Sequence, residues 1–235
     1  MHQLAQMWAE NDRQRNMKGF DDAIMGIMAN KYNVPSKHKI YYLIGKSATG
    51  KDSIYKRLVS EMQLKPILMS TTRPMRNGEV MDREYHFTNL GEFLNMQTAN
   101  QIAEYRTYSI YDNDAYIGEW VYYTPRIELD TSECSRIGIG TIESYKSLYD
   151  EYADKLVPIY IEVNDNERFL RAVEREKLND QPNYHELCRR YLADDKDFSD
   201  IKLSLYNISH RFINDNIDNC VAEIKQFIYE REVTS

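Results

Sequence analysis

The sequence predicts an α/β protein built on an open parallel sheet with helices on both faces. The first observation behind this prediction is a glycine-rich loop at residues 45–53, which lies between an apolar run and an amphipathic stretch. The second is the alternation of strand-like and helix-like segments that resumes at about residue 136. The third is a tyrosine-rich stretch between these two parts, which predicts a small, mostly antiparallel sheet of its own.

The glycine-rich loop reads G-x-x-x-x-G-K-D, with Gly45, Gly50 and Lys51 at the positions that define a phosphate-binding P-loop. Residues 39–44 before it have the composition of a buried strand, and apolar residues recur every fourth position after it, which indicates a helix. Convergent backbone N–H groups, a helix N-terminus and the Lys51 ammonium together suit a phosphate group. The alternative is a strand-to-helix turn that binds nothing.

A second strand is predicted at residues 66–70, directly before a charged, turn-rich stretch at residues 71–79. Arg73 and Arg76 in that stretch would suit a second phosphate group, because planar guanidinium groups match phosphate oxygens. A solvated loop is the alternative. Residues 82–124 then predict the small sheet, with one helix near residues 90–100.

The parallel-sheet pattern returns in the C-terminal half of the chain. Strands are predicted at residues 136–139, 157–163 and 211–213, and helices at residues 142–152, 165–173 and 217–228. Asn164 and Asp165 form an N-cap signal for the second of these helices. Strands that alternate with helices after a glycine loop are typical of a doubly covered parallel sheet.

Composition excludes several classes of protein. The chain has 235 residues, 42% of them hydrophobic and 29% charged, which is enough for one globular domain with a small appendage. A net charge of −7 argues against a nucleic-acid surface. The three cysteines are far apart, so we expect neither disulfides nor a zinc site. Without a membrane-spanning run or a secretion signal, we expect a cytoplasmic protein that does not bind membranes.

Several of these segments together resemble guanylate kinase. That family follows its P-loop with a pattern like S-x-T-T-R-x-P-R-x-G-E-x-x-x-x-x-Y-x-F, and residues 70–79 here read STTRPMRNGE, with Tyr85 and Phe87 at the expected distance. The similarity covers roughly residues 37–232. It includes Asn214-Asp215, which resembles the family's adenine-side N-D motif.

Residues 1–36 lie outside the resemblance, and their apolar residues among many polar ones predict a helical extension that packs on the main domain or presents a partner-binding face. The resemblance implies that residues 37–235 form a guanylate kinase-like domain. Within that domain the core would comprise residues 37–70 and 125–235, the acceptor-binding insert residues 71–124, and a helical lid residues 165–195 or so.

The resemblance also implies roles for individual residues. Lys51, Arg175 and Arg190 would neutralise the phosphoryl group during transfer. The ATP-binding set would be Gly45, Lys46, Ser47, Ala48, Thr49, Gly50, Lys51, Asp52, Ser53 and Asn214. The GMP-binding set would be Ser70, Arg73, Arg76, Glu79, Tyr85, Glu104, Tyr122 and Thr124. Glu104 would read guanine, because one carboxylate accepts hydrogen bonds from both N1–H and the 2-amino group.

The chain departs from the family pattern in four places. Asp52 replaces the Ser or Thr that touches magnesium, so its carboxylate would either assist the metal or repel phosphate. Pro74 directly follows Arg73, Gly138 and Gly140 stand where the family has an acidic strand end, and residues 121–124 match the family's Y-Y-G-[ST] segment only loosely. The phosphate-binding residues therefore carry over more safely than the base-reading ones.

The function that follows is transfer of the γ-phosphoryl group of ATP to GMP or dGMP, with Mg²⁺ accompanying ATP. ATP and GMP would be the partners, and the oligomeric state is left open. One alternative is a kinase for a different nucleoside monophosphate. Another is a non-catalytic guanylate kinase-like module that binds proteins; such modules typically lose the P-loop, whereas Gly45, Gly50 and Lys51 remain here.

Overall fold

The computed structural model describes residues 38–62, 64–112 and 115–233, without the side chains of residues 111 and 112. The chain divides between Ser36 and Lys37, and the predicted helical extension at residues 1–36 lies outside the described residues. Of the helices that are described, none is both long enough and apolar enough to cross a lipid bilayer.

The core is a five-stranded parallel sheet with the order β2-β7-β1-β8-β9. Its strands are β1 (Ile40–Ile44), β2 (Lys65–Pro66), β7 (Arg136–Ile139), β8 (Leu156–Glu162) and β9 (Arg211–Ile213). The first strand is therefore central, and the glycine-rich loop leaves from its C-terminal end. In open parallel sheets this is the edge at which ligands bind.

Helices cover both faces of the core sheet. The helices of the described residues are α1 (Lys51–Glu61), α2 (Leu90–Thr98), α3 (Ile142–Tyr152), α4 (Asp165–Lys177), α5 (Tyr184–Asp197), α6 (Asp200–Leu205) and α7 (Ile217–Val233), of which α2 packs on the second sheet rather than on the core sheet. Along β1, Tyr42 and Ile44 belong to the apolar cluster on one face, while Tyr41 and Leu43 belong to the cluster on the other. Burial on both faces explains why this strand is apolar throughout rather than alternating. The predicted α/β fold class is confirmed.

A second, four-stranded sheet has the order β4-β3-β6-β5. Its strands are β3 (Ser70–Thr71), β4 (His86–Phe87), β5 (Ile102–Asp112) and β6 (Ala115–Pro125). Two of its three pairings are antiparallel, and β3 pairs with β4 in parallel. Helix α2 packs Phe93 against Tyr123 on one face of this sheet, so the other face remains available for a ligand.

The single strand predicted at residues 66–70 is wrong. Pro66 ends β2 in the core sheet, and Ser70 begins β3 in the second sheet. The backbone N–H of Ile67 still bonds to the core strand β7, but that of Leu68 donates to the Glu128 carboxylate instead. Because a side chain replaces the strand partner here, the ladder stops and the chain crosses from one sheet to the other.

Candidate functional site

The glycine-rich loop is held tightly against the strands beside it. Gly50 has φ 84° and caps α1, and a Cβ at this position would lie 2.5 Å from Nδ2 of Asn214. A Cβ at Gly45 would lie 2.6 Å from the carbonyl oxygen of Ile161. Asn214 donates a hydrogen bond to the Thr49 carbonyl at 2.8 Å. Glycine is therefore required at both positions, and the side chain of Asn214 braces the loop.

Lys51 points back into this loop. Its Nζ atom donates to the carbonyl of Lys46 at 3.2 Å. Burial lowers the pKa of the Lys51 ammonium, the carboxylates of Asp52 and Asp194 partly offset that effect, and Arg175 lowers the pKa further. A desolvated ammonium inside a loop of backbone N–H groups is the arrangement expected of an anion site.

A carboxylate from α5 already occupies part of the loop. The backbone N–H of Ser47 donates to Oδ2 of Asp194 at 2.7 Å, and Nζ of Lys46 lies 2.7 Å from Oδ1 of Asp195. Arg168, whose side chain is 1% exposed, contacts both aspartates at 3.4 and 3.2 Å. The loop therefore binds an anion in this structure, and the anion is a side chain of the protein itself.

The residues predicted to be catalytic lie around the same loop. Arg175 on α4 and Arg190 on α5 line one small cavity together with Ser47. The positive charge of Arg175 lowers the pKa of Lys51. The Arg190 guanidinium is 3.9 Å from the Glu176 carboxylate. The two helices of the predicted lid therefore place both arginines over the P-loop.

A second cavity, of about 370 Å³, opens on the far side of the loop. Lys46, Thr49, Tyr160, Asp165 and Asp215 are among the residues that line it. Its volume falls in the range of about 300–1,000 Å³ that small-molecule sites occupy. The two residues of the predicted N-D motif therefore have different positions. Asn214 bonds to the loop, and Asp215 lines the cavity.

Asp52 is exposed in the first turn of α1. Within residues 38–62, 64–112 and 115–233, no group of three or more His, Cys, Asp or Glu side chains is placed to hold a metal ion. A carboxylate oxygen is a suitable magnesium ligand. Asp52 could therefore contribute such an oxygen to a magnesium ion at this loop.

The second sheet carries a separate cluster of charge around Arg73. This arginine is 3% exposed and donates two hydrogen bonds to Glu79, at 2.8 and 2.7 Å. A third runs from its Nε to the Tyr122 hydroxyl at 3.0 Å, and the Tyr85 ring centroid is 5.6 Å from its Cζ. Arg73 lowers the pKa of Glu79 to about 2, and the exposed Arg76 lies beside the same carboxylate.

A β-bulge turns Glu104 towards this cluster. Ile102 pairs with Pro125 and Glu104 with Thr124, so Ala103 is an extra residue in β5. Ile102 packs in the small core under α2, whereas Glu104 points to the opposite face and accepts a hydrogen bond from the Thr124 hydroxyl at 2.6 Å. Bulges commonly re-aim a side chain beside a site in this way.

Ser70 is not brought into this cluster. Its hydroxyl interacts with that of Tyr123, whose ring packs under α2 on the other face of the sheet. The face that carries Glu104, Arg106 and Tyr122 is the cleft face. Met69 lies on it, with its sulfur 3.8 Å from Nη2 of Arg106. Ser70 points away from the cluster because successive residues of a strand face opposite sides of the sheet, and its role in binding GMP stays a prediction.

The two glycines that depart from the family pattern make room for Tyr42. A Cβ at Gly138 would lie 2.9 Å from the Tyr42 ring, and one at Gly140 would overlap the Tyr42 hydroxyl. That hydroxyl donates to Ser144 at 2.9 Å. A carboxylate at the end of β7 is therefore incompatible with the position that this tyrosine adopts.

The chain is similar to guanylate kinases in family model, sequence and structure. A guanylate kinase family model matches residues 37–124. Guanylate kinase from Mycoplasmoides gallisepticum is 28% identical over 210 residues, covering 87% of this chain and 96% of that protein. Guanylate kinase from Zymomonas mobilis is 24% identical, covering 80% of this chain and 82% of that protein. The crystal structure of guanylate kinase from Anaplasma phagocytophilum superimposes with a TM-score of 0.56 at 15% identity, over 84% of this chain and 87% of that one.

Proposed function

The chain belongs to the guanylate kinase family and is a nucleoside monophosphate kinase, and on this premise we propose that it transfers the γ-phosphoryl group of ATP to GMP, giving ADP and GDP. One observation carries the proposal. The P-loop beside Arg175 and Arg190 follows β1, and the second sheet, which holds the buried Glu104–Thr124 pair, reaches the same edge of the core sheet through the Arg106–Thr141 hydrogen bond just after β7.

ATP occupies the P-loop side in this proposal. The backbone N–H groups of residues 46–51 and the Lys51 ammonium hold its phosphates, and the 370 Å³ cavity lined by Asp215 takes its nucleoside. Arg175 and Arg190 supply positive charge to the phosphoryl group during transfer. The transition state spreads negative charge over three oxygens, so cations placed in advance stabilise it without moving.

GMP occupies the second sheet. Its phosphate binds beside Arg73, Arg76 and Tyr85, where Arg73 exchanges part of its ion pair with Glu79 for phosphate oxygens. Guanine lies against the cleft face of β5 and β6, where Glu104 accepts its N1–H and 2-amino hydrogens. Thr124 occupies one lone-pair direction of this carboxylate, which leaves others open.

A magnesium ion bound with ATP would supply positive charge that reduces the mutual repulsion of the phosphates. Asp52 is the protein side chain that we assign to it, directly or through water. No general base is required, because positioning and charge stabilisation suffice for phosphoryl transfer.

The test is ATP consumption, measured by a coupled assay with GMP, dGMP, IMP, AMP, CMP and UMP. We expect GMP to be the best acceptor. Lys51→Ala should reduce turnover by at least about a hundredfold, the usual cost of removing an electrostatic group from a transition state. The matched control is Lys56→Ala, which removes an exposed lysine from the same helix and should leave activity unchanged.

Circular dichroism shows whether both variants fold. If Lys51→Ala turns over within about tenfold of the unmodified protein, the mutation has raised the activation free energy by only about 1.4 kcal/mol. That loss would be too small for a group that stabilises the transition state. A panel in which a pyrimidine nucleotide or AMP is the best acceptor would reject GMP as the substrate.

A further inference from the structure

Arg106 was not among the site residues predicted from the sequence, yet it lies at the centre of the cleft face of the second sheet. It stands two residues after Glu104 on β5 and opposite Tyr122 on β6. Its side chain is 11% exposed. Nη1 donates to the Thr141 hydroxyl at 2.8 Å, and Thr141 caps helix α3 beyond the end of core strand β7. Arg106 therefore spans the two sheets at the mouth of the cleft.

Two buried polar atoms face each other here without a hydrogen bond. Nε of Arg106 and Oε2 of Glu104 are 3.5 Å apart, and neither has a hydrogen-bond partner among the described residues. Burial tends to lower the pKa of the Arg106 guanidinium, but Glu104, Tyr42 and Tyr108 raise it above the usual value. The guanidinium therefore keeps its positive charge. Buried polar atoms without partners are rare in folded proteins and usually mark a place where something else binds.

The pair presents an acceptor and a donor side by side. Oε2 of Glu104 accepts hydrogen bonds, and Nε of Arg106 donates them. The complementary ligand edge is an N–H next to a carbonyl oxygen. Guanine and hypoxanthine have this edge at N1–H and O6, whereas adenine and cytosine present a ring acceptor next to an amino donor.

We infer that Arg106 is a specificity-determining residue that donates a hydrogen bond to O6 of a 6-oxopurine acceptor, beside the N1–H that Glu104 accepts. This inference rests on the proposed function and adds a second reader to the base site. Glu104 reads the hydrogens of guanine, and Arg106 reads its carbonyl oxygen. Replacing that oxygen by a poor acceptor leaves the buried Nε donor of Arg106 without a hydrogen bond, and such mismatches are rejected strongly.

The experiment compares three acceptors in the unmodified protein and in Arg106→Met, which keeps the apolar stem and removes the donors. GMP has both groups, 6-thio-GMP replaces O6 with sulfur, and IMP lacks the 2-amino group. In the unmodified protein we expect kcat/KM for GMP to exceed that for 6-thio-GMP about ten- to hundredfold, the effect of one charged hydrogen bond. Arg106→Met should reduce this ratio towards one, while the GMP-to-IMP ratio stays within about twofold.

The matched control is Arg83→Met, which removes an arginine that is 59% exposed and paired with Glu84 in the same part of the chain. It should leave both ratios unchanged. If Arg106→Met does not fold, Arg106→Lys keeps a donor and a charge, and should give an intermediate GMP-to-6-thio-GMP ratio.

Three results would overturn the inference. An unmodified protein that uses 6-thio-GMP as well as GMP does not read O6, and this outcome needs no variant. If the GMP-to-6-thio-GMP ratio of Arg106→Met equals that of the unmodified protein, a residue other than Arg106 recognises O6. An equal fall in both ratios means that Arg106 only positions Glu104. If the unmodified protein phosphorylates none of the purine nucleotides, the proposed function fails as well, whereas turnover of GMP without these ratio changes rejects the inference alone.

Discussion

Arg73 and Glu79 form a bidentate ion pair at the place where we propose that the acceptor phosphate binds. The pair satisfies a buried guanidinium, which avoids the large cost of an unpaired buried charge. A phosphate would share that guanidinium, because its oxygens match the same two donors. Single residues at this site are therefore already held near the positions that a ligand would require.

Glu104→Gln tests the base reader at the level of one carboxylate. Glutamine keeps the shape but replaces an acceptor oxygen with a donor, so it can no longer accept both guanine hydrogens. We expect the ratio of kcat/KM for GMP over IMP to fall about tenfold or more, since a charged hydrogen bond contributes about 1.5–3 kcal/mol. Initial rates at subsaturating acceptor concentrations give this ratio directly.

The control for this variant is Glu119→Gln, on β6 of the same sheet, where the glutamate is exposed. It should behave like the unmodified protein. A GMP-to-IMP ratio that Glu104→Gln leaves unchanged would show that another group reads the 2-amino hydrogens.

Helix α5 interacts with the P-loop through consecutive carboxylates. Asp194 accepts the Ser47 N–H, and Asp195 pairs with Lys46. Arg168 on α4 joins both acids and stacks on Tyr191, with its Cζ 3.7 Å from the ring centroid. A nucleotide phosphate and Asp194 would need the same backbone N–H. ATP binding must therefore displace this carboxylate or shift the helix that carries it.

Asp194→Asn should consequently strengthen ATP binding. The neutral side chain competes less well for the Ser47 N–H, and it no longer repels the incoming phosphates. We expect the dissociation constant for ATP to fall about tenfold, corresponding to about 1.4 kcal/mol, in a calorimetric titration.

Asp197→Asn is the control on the same helix, because its carboxylate pairs with Lys202 rather than with the loop. It should leave ATP affinity unchanged. Weaker ATP binding by Asp194→Asn would instead mean that the carboxylate holds the loop in its binding conformation.

The protein as a whole places its two candidate nucleotide sites on different sheets of one compact unit. The P-loop belongs to the core sheet, and Arg73 and Glu104 belong to the second sheet. Arg106 connects them by its hydrogen bond to Thr141. Each ligand would therefore stabilise mainly its own sheet, and the unfolding of the whole domain should respond to both.

Thermal unfolding with ADP and GMP measures this response without any turnover. A ligand at about 100 times its dissociation constant adds about 2.7 kcal/mol to the stability of the folded state. For a domain of this size that corresponds to a rise in Tm of about 5–11 °C per ligand. We expect ADP and GMP each to raise Tm, and the two together to raise it further.

CMP at the same concentration serves as the control, and its effect should be much smaller than that of GMP. A rise with ADP but none with GMP would contradict the proposed acceptor. An equal rise with GMP and CMP would indicate that only the phosphate is recognised.

The sequence alone determined the fold class, the P-loop and the charged loop around Arg73, because each depends on residues that are close together in the chain. The G-x-x-x-x-G-K spacing, the period of apolar residues in α1 and the two arginines of residues 71–79 are local patterns with local physical causes. It also predicted the positions of β7 and α3 well, since a short apolar run and the regular spacing of apolar residues mark them.

Only the tertiary structure decided which distant side chains meet. Ser47 and Asp194 are 147 residues apart, and their contact follows from the way that α5 returns across the core sheet. The bulge that turns Glu104 to the cleft depends on its pairing with β6, and the placing of Arg106 beside it follows from the same register. Local sequence patterns report on backbone conformation a few residues at a time, whereas strand order and register, set by packing of the whole domain, bring these charges together.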